Sequence, residues 1–364
     1  MLPAPPDRDG MAWFDGLLAD RPAEASGDPA VLDRGGWWAV VVTFEGEMRL
    51  WRFDRVRPAP LPAPRREWRG PDDGAWRSSL DRAAFVAGVH EIRRRIREGD
   101  VYQVNLCRVL DAPAAADADP WALANVLAGG NPAPYAGVLD LPATAATPAT
   151  RLVSASPELF LERDGDRVTS SPIKGTAPTP AGLLPKDEAE NVMIVDLVRN
   201  DLQRVCRPGT IGVPSLLRVE SHPGLVHLVS SVEGRLAPGV TWPDVLAATT
   251  PPGSVSGAPK SSALRAISDL EPVPRGPYCG AVGYVDADRG RARLAVGIRT
   301  FWLAGGRLRF GTGAGITWGS DPAREWDETR LKAARLVGLT TGAARRPGRP
   351  GRTGHDERVG VVSA

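Results

Sequence analysis

The apolar residues of this 364-residue chain recur with two different periods. From residue 81 to residue 98 they return every three or four positions, which predicts a helix. In residues 101–110 they alternate with polar residues, which predicts a strand with Gln103 and Asn105 on its polar face. The chain therefore contains both kinds of element, one directly after the other.

Further elements follow from the same patterns and from turn residues. They are a hairpin over residues 35–54 that turns at Glu45-Gly46, two strands around Asp164-Gly165-Asp166, a helix from Pro185 to about Val205, a strand-like run over residues 224–230, a three-strand meander over residues 280–315 with turns near Asp288 and Gly305, and a final helix over residues 320–338 capped by Asp321. Long antiparallel runs with separate helices predict an α+β fold, and not a doubly wound parallel sheet.

The length of the chain allows one large domain or two ordinary ones. We expect one domain over residues 35–340, preceded by an irregular N-terminal segment, residues 1–34. Residues 341–364 hold few apolar residues and many Gly, Pro and Arg residues, which predicts a disordered C-terminal tail.

Composition narrows the possible partners and compartment. Lys and Arg number 45 against 43 Asp and Glu, a net charge of +2, so neither nucleic acid nor an anionic membrane is an expected partner. Cys107, Cys206 and Cys279 lie far apart and form no CxxC or zinc spacing. With no apolar run of membrane-spanning length and no signal peptide, a reducing, cytoplasmic setting is expected.

Three glutamates are candidate metal ligands, each with an ordinary alternative. Glu325 and Glu328 share a face of the last helix and could bind Mg²⁺ with a third carboxylate. The spacing alone favours a simple ion pair between Glu328 and Lys332. Glu190 lies on an apolar stripe, where an acid is costly unless it is paired or bound to a metal. Asp187 lies one turn earlier, so Glu190 is either a metal ligand or part of the exposed edge of the helix.

Other candidates are also ambiguous when taken singly. Glu158 follows a proline at a bend, a plausible place for a catalytic acid. His227 lies in an apolar run, where most histidines are satisfied core residues. Lys174 lies in the stiff turn Pro-Ile-Lys-Gly-Thr, although most lysines point into water. The loop PPGSVSGAPK, residues 251–260, lacks the P-loop spacing, so it is either a carboxylate-binding loop or an ordinary helix cap.

Together and in this order, ten stretches resemble the chorismate-utilising enzymes. The stretches are GDVYQVNL, SASPELFL, PIKGTAP, DEAENVMIVDLVRNDLQRVC, VHLVSSVEG, PPGSVSGAPK, GPYCGAVGY, GIRTF, GAGI and EWDETRLKAARL. They extend over roughly residues 80 to 340 and are highly specific as a colinear set. Two departures are Pro252, where glycine is common, and Trp318, where a smaller residue is usual.

The resemblance implies a fold, a substrate and a set of site residues. The fold is two large, mostly antiparallel sheets stacked on each other with helices outside and the active site between them, which makes residues 35–340 a chorismate-binding catalytic domain. The cofactor is Mg²⁺, which holds the ring carboxylate. Carried over motif by motif, the catalytic residues are Glu158, Lys174 and His227, the substrate contacts are Gln103, Thr176, Ser254, Tyr278, Arg299, Gly313 and Gly315, and the metal ligands are Glu190, Glu325 and Glu328.

Two positions distinguish members of this family that differ in activity. Gln103 stands where isochorismate and salicylate synthases carry a lysine that activates water, so ammonia is the expected nucleophile. Lys174 stands where anthranilate synthases usually carry alanine and aminodeoxychorismate synthases carry lysine. The resemblance is therefore closest to aminodeoxychorismate synthase component I, which makes 4-amino-4-deoxychorismate for para-aminobenzoate and folate synthesis.

The same resemblance implies a partner and leaves alternatives. Such subunits take ammonia from a glutamine amidotransferase subunit, and no glutaminase constellation is found in this sequence. The first alternative is anthranilate synthase component I, and the second is a catalytically silent protein that binds chorismate or a partner. No match to the family's N-terminal effector segment is found, so feedback by tryptophan is not expected.

Overall fold

The computed structural model describes residues 10–72, 74–177, 179–222 and 225–342. Its strands are β1 Met11–Phe14, β2 Leu17–Ser26, β3 Trp37–Val42, β4 Met48–Pro58, β5 Arg77–Ser78, β6 Gln103–Pro113, β7 Tyr135–Leu141, β8 Thr150–Ser156, β9 Leu159–Asp164, β10 Arg167–Ser171, β11 Ile173–Ala177, β12 Gly212–His222, β13 Leu225–Arg235, β14 Gly257–Ala258, β15 Ala281–Asp286, β16 Arg291–Val296, β17 Thr300–Ala304 and β18 Arg307–Ile316. The helices are α1 Arg82–Arg97, α2 Pro120–Gly130, α3 Pro185–Gln203, α4 Trp242–Thr249, α5 Lys260–Leu270 and α6 Pro322–Thr340.

Most of the predicted elements are present. The helix predicted over residues 81–98 is α1, and the helix predicted from Pro185 is α3. In α6, the Asp321 carboxylate accepts hydrogen bonds from two backbone N–H groups of the first turn, as its predicted capping role requires. The hairpin predicted over residues 35–54 is the antiparallel pair β3–β4.

Antiparallel pairing links all 18 described strands into one large, curled sheet. The prediction of two separate stacked sheets is not confirmed, because ladders such as β1–β7 and β2–β4 connect the two halves of the molecule. The predicted three-strand meander is also wrong. The strands β16 and β17 follow each other but do not pair, since β16 pairs with β9 and β17 with β8.

The predicted irregular character of residues 1–34 is wrong for the described part of that segment. The strands β1 and β2 pair with each other, and they bury Met11, Ala12 and Leu18 against the body of the sheet. The strand β1 has only 4 residues and β2 ends in a polar half, so their sequence carries little alternation. Nearly all of the predicted disordered tail, residues 343–364, lies outside the described residues.

Two consecutive strand pairs cross from one half of the sheet to the other. The chain passes from β8 to β9 through Glu158, and from β16 to β17 through Arg299. At this point the Val296 N–H donates to the Glu158 carbonyl, and the Ala155 N–H donates to the Arg299 carbonyl, each at 3.0 Å. The backbone around Glu158 and Arg299 is therefore fixed by the sheet itself.

Helix α3 is attached to β13 by a buried amide. The Asn191 Nδ2 group donates to the Leu228 carbonyl at 3.0 Å, and the Ser230 hydroxyl donates to Asn191 Oδ1 at 2.5 Å. Both Asn191 and Ser230 are fully buried, so these bonds are shielded from water. Glu190 immediately precedes Asn191, and its position relative to the sheet is set by this attachment.

Helix α6 is attached in a similar way to β6 and β18. Arg108 Nε donates to the Thr329 hydroxyl at 3.0 Å, and the Thr312 hydroxyl donates to the Thr329 carbonyl at 2.9 Å. Glu325 and Glu328 lie within the turn that precedes Thr329. Among the described residues, no helix combines the length and the apolar character needed to cross a membrane.

Candidate active site

Glu158, Ser254 and Lys174 form a connected group. The Lys174 ammonium donates to the Ser254 carbonyl, with Nζ 2.8 Å from the oxygen. The Ser254 hydroxyl hydrogen-bonds the Glu158 carboxyl, which also accepts from the backbone N–H of Ile173. Ser254 thus touches both candidate catalytic groups, one through its carbonyl and one through its hydroxyl.

Glu158 is buried, with 3% of its surface exposed. Burial disfavours the charged carboxylate and raises the pKa of Glu158 to about 7. The Ser254 hydroxyl, the charge of Lys174, the Ile173 N–H and the charge of Arg299 all lower this pKa, but burial outweighs them. A carboxylic acid with such a pKa can donate a proton near neutral pH.

Three further carboxylates, which we call the acidic triplet, come from two helices: Glu190 from α3, and Glu325 and Glu328 from α6. Burial raises the pKa of Glu190 and that of Glu325, and in both cases the charge of Glu328 raises it further. Two helices that are distant in sequence therefore bring these carboxylates into one electrostatic neighbourhood.

Lysines compensate the negative charge of the acidic triplet. Lys332 Nζ lies 2.7 Å from Glu328 Oε1 and donates to the Gly313 carbonyl at 3.2 Å. Burial opposes ionisation of Glu328, but the charges of Lys332, Lys186 and Lys174 outweigh it and lower the pKa of Glu328. The ion pair of Glu328 with Lys332, the ordinary alternative left open by the spacing, is present.

The donor set of the triplet suits Mg²⁺, which prefers carboxylate oxygens. Within the described ranges, no group of three or more His, Cys, Asp or Glu side chains is already arranged around a common point as a metal site. Lys332 contacts Oε1 of Glu328, so this oxygen already has a partner that a metal ion at the triplet would compete with. The Mg²⁺ assignment stays a prediction.

Lys174 is the group that joins the two parts of the site. Its positive charge lowers the pKa of Glu158, of Glu190 and of Glu328. The side chain is partly buried and points inward to Ser254, and not into bulk water. The charge of Lys174 therefore acts both on the candidate proton donor and on two members of the acidic triplet.

Gln103 and Gly315 lie beside Glu190. A Cβ atom on Gly315 would be 2.4 Å from Gln103 Nε2 and 3.7 Å from Glu190 Oε2, so only glycine leaves this space open. Gln103 is 1% exposed, and its amide oxygen has no hydrogen-bond partner within the described part of the chain. An unpaired buried acceptor is costly, which makes Gln103 a candidate to receive a hydrogen bond from a ligand.

Arg299 lies at the strand crossing with φ of +50°, in the left-handed region. Burial and the charge of Arg335 lower the pKa of Arg299, while the charge of Glu158 raises it. Arg299 is thus a partly buried cation close to Glu158. Such a group is suited to bind a carboxylate.

The other predicted substrate contacts are less closely tied to this group. The ring of Tyr278 packs on Gly311, and its hydroxyl lies 3.8 Å from Cys107 Sγ. A Cβ atom on Gly313 would lie 2.5 Å from Cys107 Sγ, so this glycine allows close packing of β18 on β6. Substrate contacts of Tyr278 and Gly313 stay predictions.

His227 lies on β13, and its backbone is opposite Thr176 of β11 and Glu220 of β12. The His227 side chain is buried, with 2% of its surface exposed. The side chain of Thr176 is outside the described part of the structure. Catalysis by His227 and substrate binding by Thr176 stay predictions.

Sequence reasoning missed two lysines of the site. The sequence marks Lys332 only as the partner of Glu328, although Lys332 also bonds to the strand that carries Gly313 and Gly315. Its spacing of four from Glu328 was the available signal. The charge of Lys186 acts on all members of the acidic triplet, but Lys186 is exposed and no pattern in the sequence marks it.

Comparison with known proteins gives the following matches. The family model described as chorismate binding enzyme matches residues 47–338. Anthranilate synthase component 1 of Thermus thermophilus is 41% identical over 305 residues, which cover 80% of this chain and 64% of the relative. Aminodeoxychorismate synthase component 1 of Klebsiella aerogenes is 37% identical over 276 residues, which cover 72% of this chain and 59% of the relative.

The fold also matches a solved structure. Anthranilate synthase component I from Streptococcus pneumoniae has a TM-score of 0.76 and 25% sequence identity, over 93% of this chain and 94% of that chain. The chain spans less than two thirds of the length of the two curated relatives, namely 64% and 59%.

The Ser254→Ala substitution should raise the pKa of Glu158 above about 7, because the lost hydroxyl hydrogen-bonds the charged carboxylate. A carbon-13 NMR titration of the glutamate side chains measures this pKa, and Glu158→Gln assigns the resonance. Ser262→Ala in α5 is the control, because the Ser262 hydroxyl accepts a hydrogen bond from Arg265. An unchanged or lower pKa in Ser254→Ala would contradict the contact between Ser254 and Glu158.

Proposed function

Because the chain belongs to the family of chorismate binding enzymes, we propose that it is an aminodeoxychorismate synthase component I. Its reaction would convert chorismate and ammonia to 4-amino-4-deoxychorismate, the precursor of para-aminobenzoate in folate synthesis. One observation carries the proposal: Lys174 is directed into the site, bonded to Ser254 and close to Glu158 and the acidic triplet.

In the first displacement, the neutral amine of Lys174 attacks C2 of the chorismate ring. The ring electrons shift, the bond between C4 and its hydroxyl breaks, and Glu158 donates the proton that lets the hydroxyl leave as water. The pKa of Glu158, raised by burial to about 7, keeps a large fraction of this acid protonated near neutral pH. Ser254 keeps the lysine and the acid next to each other during this step.

In the second displacement, ammonia attacks C4 and the bond between C2 and Lys174 breaks. The adduct nitrogen has kept both of its protons from the first step, so Lys174 leaves as a neutral amine, and the Glu158 carboxylate accepts a proton from the incoming nitrogen and becomes the acid again. The sum of both steps replaces the C4 hydroxyl with an amine and releases water, without loss of pyruvate. Two displacements divide one difficult substitution into two easier ones.

The acidic triplet would hold Mg²⁺ in this proposal, with Glu190 and Glu328 as ligands and Glu325 beside them. A bound Mg²⁺ neutralises the ring carboxylate of the substrate. Burial raises the pKa of Glu190 and the pKa of Glu325. The positive charge of a bound metal ion would favour both ionised carboxylates and would therefore lower these pKa values.

Ammonia, and not water, is the second substrate in this proposal. Gln103 lies in the site beside Glu190 but cannot act as a base, because an amide has no basic lone pair near neutral pH. A glutamine amidotransferase subunit would supply the ammonia. The relatives named component 1 support a two-subunit arrangement.

Anthranilate synthase component I is the second candidate, and the identities favour it. The Thermus thermophilus relative, at 41%, is an anthranilate synthase component, whereas the aminodeoxychorismate synthase relative from Klebsiella aerogenes is 37% identical. In that reaction ammonia adds at C2 directly and no lysine nucleophile is needed. The position of Lys174 is the observation that favours the first candidate.

Removal of the lysine tests the proposed nucleophile. Lys174→Ala should lose aminodeoxychorismate formation by orders of magnitude while folding normally, because no core group is removed. Lys174→Arg is the matched variant, since arginine keeps the charge beside Glu158 and Ser254 but cannot attack the ring. Enzyme quenched with chorismate in the absence of ammonia should carry an adduct on the peptide with Lys174, detected by mass spectrometry.

The same experiment can refute the proposal. Full activity of Lys174→Ala, or of Lys174→Arg, would show that Lys174 is not the nucleophile. Formation of anthranilate by Lys174→Ala and by the unchanged protein at equal rates would establish the second candidate instead.

The metal assignment is tested by Glu190→Gln, which removes one negative ligand. We expect the Mg²⁺ concentration for half-maximal activity to rise at least about tenfold, because fewer charged ligands weaken cation binding. Glu188→Gln, an exposed position on the same helix, is the matched control and should leave this concentration unchanged. Equal Mg²⁺ requirements in both variants would remove Glu190 from the metal site.

A further inference from the structure

A partly buried ion pair lies outside the groups used so far. Lys260 Nζ is 2.6 Å from Asp201 Oδ2, and 3.4 Å from the Thr249 carbonyl, to which it also donates. The side chains of Lys260 and Asp201 are 19% and 12% exposed. Loss of one partner from a pair that is this shielded leaves the other charge buried and uncompensated, which is costly.

The pair connects two elements that both carry site residues. Asp201 is on α3, the helix that presents Glu190. Thr249 ends α4 and Lys260 begins α5, so they flank the segment 250–259, which we call the Ser254 loop. Through its two contacts, Lys260 fixes both ends of the Ser254 loop to α3.

Packing supports the same connection at the centre of the loop. A Cβ atom on Gly253 would lie 2.6 Å from Leu197 Cδ2, so the Ser254 loop touches α3 one turn before Asp201. A cavity of about 20 Å³ lies between them, and both Glu158 and Asp201 contribute to its lining. It has room for about one water molecule, so the loop has little space to shift toward α3.

The other face of the Ser254 loop is fixed independently. The buried guanidinium of Arg275 donates to the Val255 carbonyl at 2.9 Å and to the Asn105 carbonyl at 2.6 Å. The β14 part of the loop also pairs with β6, opposite Gln103 and Val104. The ion pair therefore joins the loop to α3, while Arg275 and β6 hold the loop in the sheet.

We propose that Asp201 and Lys260 are positioning residues, which hold the Ser254 loop against α3 and thereby set the relative orientation of Lys174, Glu158 and Glu190. Ser254 touches both Lys174 and Glu158, so a shift of the loop separates the nucleophile from the acid. The kinetic part of this inference rests on the proposed function, whereas the structural part does not.

The test compares Asp201→Asn, Lys260→Met and the double variant with Asp196→Asn. Asp196 is on the same helix and pairs with Arg199, but both members of that pair are exposed, so Asp196 is a matched control for the loss of one carboxylate charge. Lys260→Arg keeps the charge and should rescue function. The double variant leaves no unpaired charge, which separates loss of the connection from burial of a lone charge.

Two measurements do not depend on turnover. Hydrogen–deuterium exchange of peptides that cover residues 250–260 should become faster in Asp201→Asn, Lys260→Met and the double variant, but not in Asp196→Asn or Lys260→Arg. Lys174 is also acetylated with a water-soluble acetylating ester, and the acetylated peptide is measured by mass spectrometry. The rate of acetylation should rise severalfold in the same three variants, because the Ser254 carbonyl no longer holds Nζ.

The kinetic measurement uses chorismate, Mg²⁺ and ammonium chloride. In the three disrupted variants kcat should fall by about a hundredfold, the typical effect of a displacement of about 1 Å, with little change in KM for chorismate. Unchanged exchange in residues 250–260 would overturn the proposal. Faster exchange with unchanged acetylation of Lys174 would also overturn it, since the pair would then support only the fold.

The measurements distinguish failure of the proposed function from failure of this inference. If the unchanged protein forms no aminodeoxychorismate, the proposed function fails, but the exchange and acetylation comparisons still decide whether the pair positions Lys174. If the unchanged protein is active and Asp196→Asn loses as much activity as Asp201→Asn, the pair has no special role and the inference is wrong.

Discussion

The positive charge of Lys174 is the interaction on which the arrangement of the site depends. This charge lowers the pKa of three carboxyl groups: Glu158 at the strand crossing, Glu190 on α3 and Glu328 on α6. Burial raises the pKa of Glu158 and Glu190, and Lys174 is the one charge that opposes this rise at both. Three elements that are far apart in sequence thus share one compensating cation, which makes their relative positions interdependent.

This shared charge has a chemical consequence. A lysine must be neutral to act as a nucleophile, because the lone pair of its nitrogen forms the new bond. Ionised carboxylates stabilise a nearby positive charge, whereas carboxylates that are protonated or bound to a metal do not. The proposed chemistry is therefore consistent with a site in which burial keeps Glu158 partly protonated and a cation occupies the acidic triplet.

Much of the fold was predictable from local patterns, because helices such as α1 and α6 carry a clear apolar period or a cap. The pairing of β16 with β9 and of β17 with β8 could not be predicted in this way. Periodicity shows which residues lie on each face of a strand, but it does not show which strands pair. The family resemblance alone points to Glu158, Lys174 and Ser254 as site residues. The ion pair of Asp201 with Lys260 connects residues 59 positions apart, and no sequence pattern marks it.

The most direct test of the proposed function is the identity of the product. The protein is incubated with chorismate, Mg²⁺ and ammonium chloride, and the products are separated and identified by mass spectrometry, with and without an added aminodeoxychorismate lyase. The account predicts 4-amino-4-deoxychorismate, which the lyase converts to para-aminobenzoate. Anthranilate as the main product, or isochorismate formed whether or not ammonia is present, would contradict it.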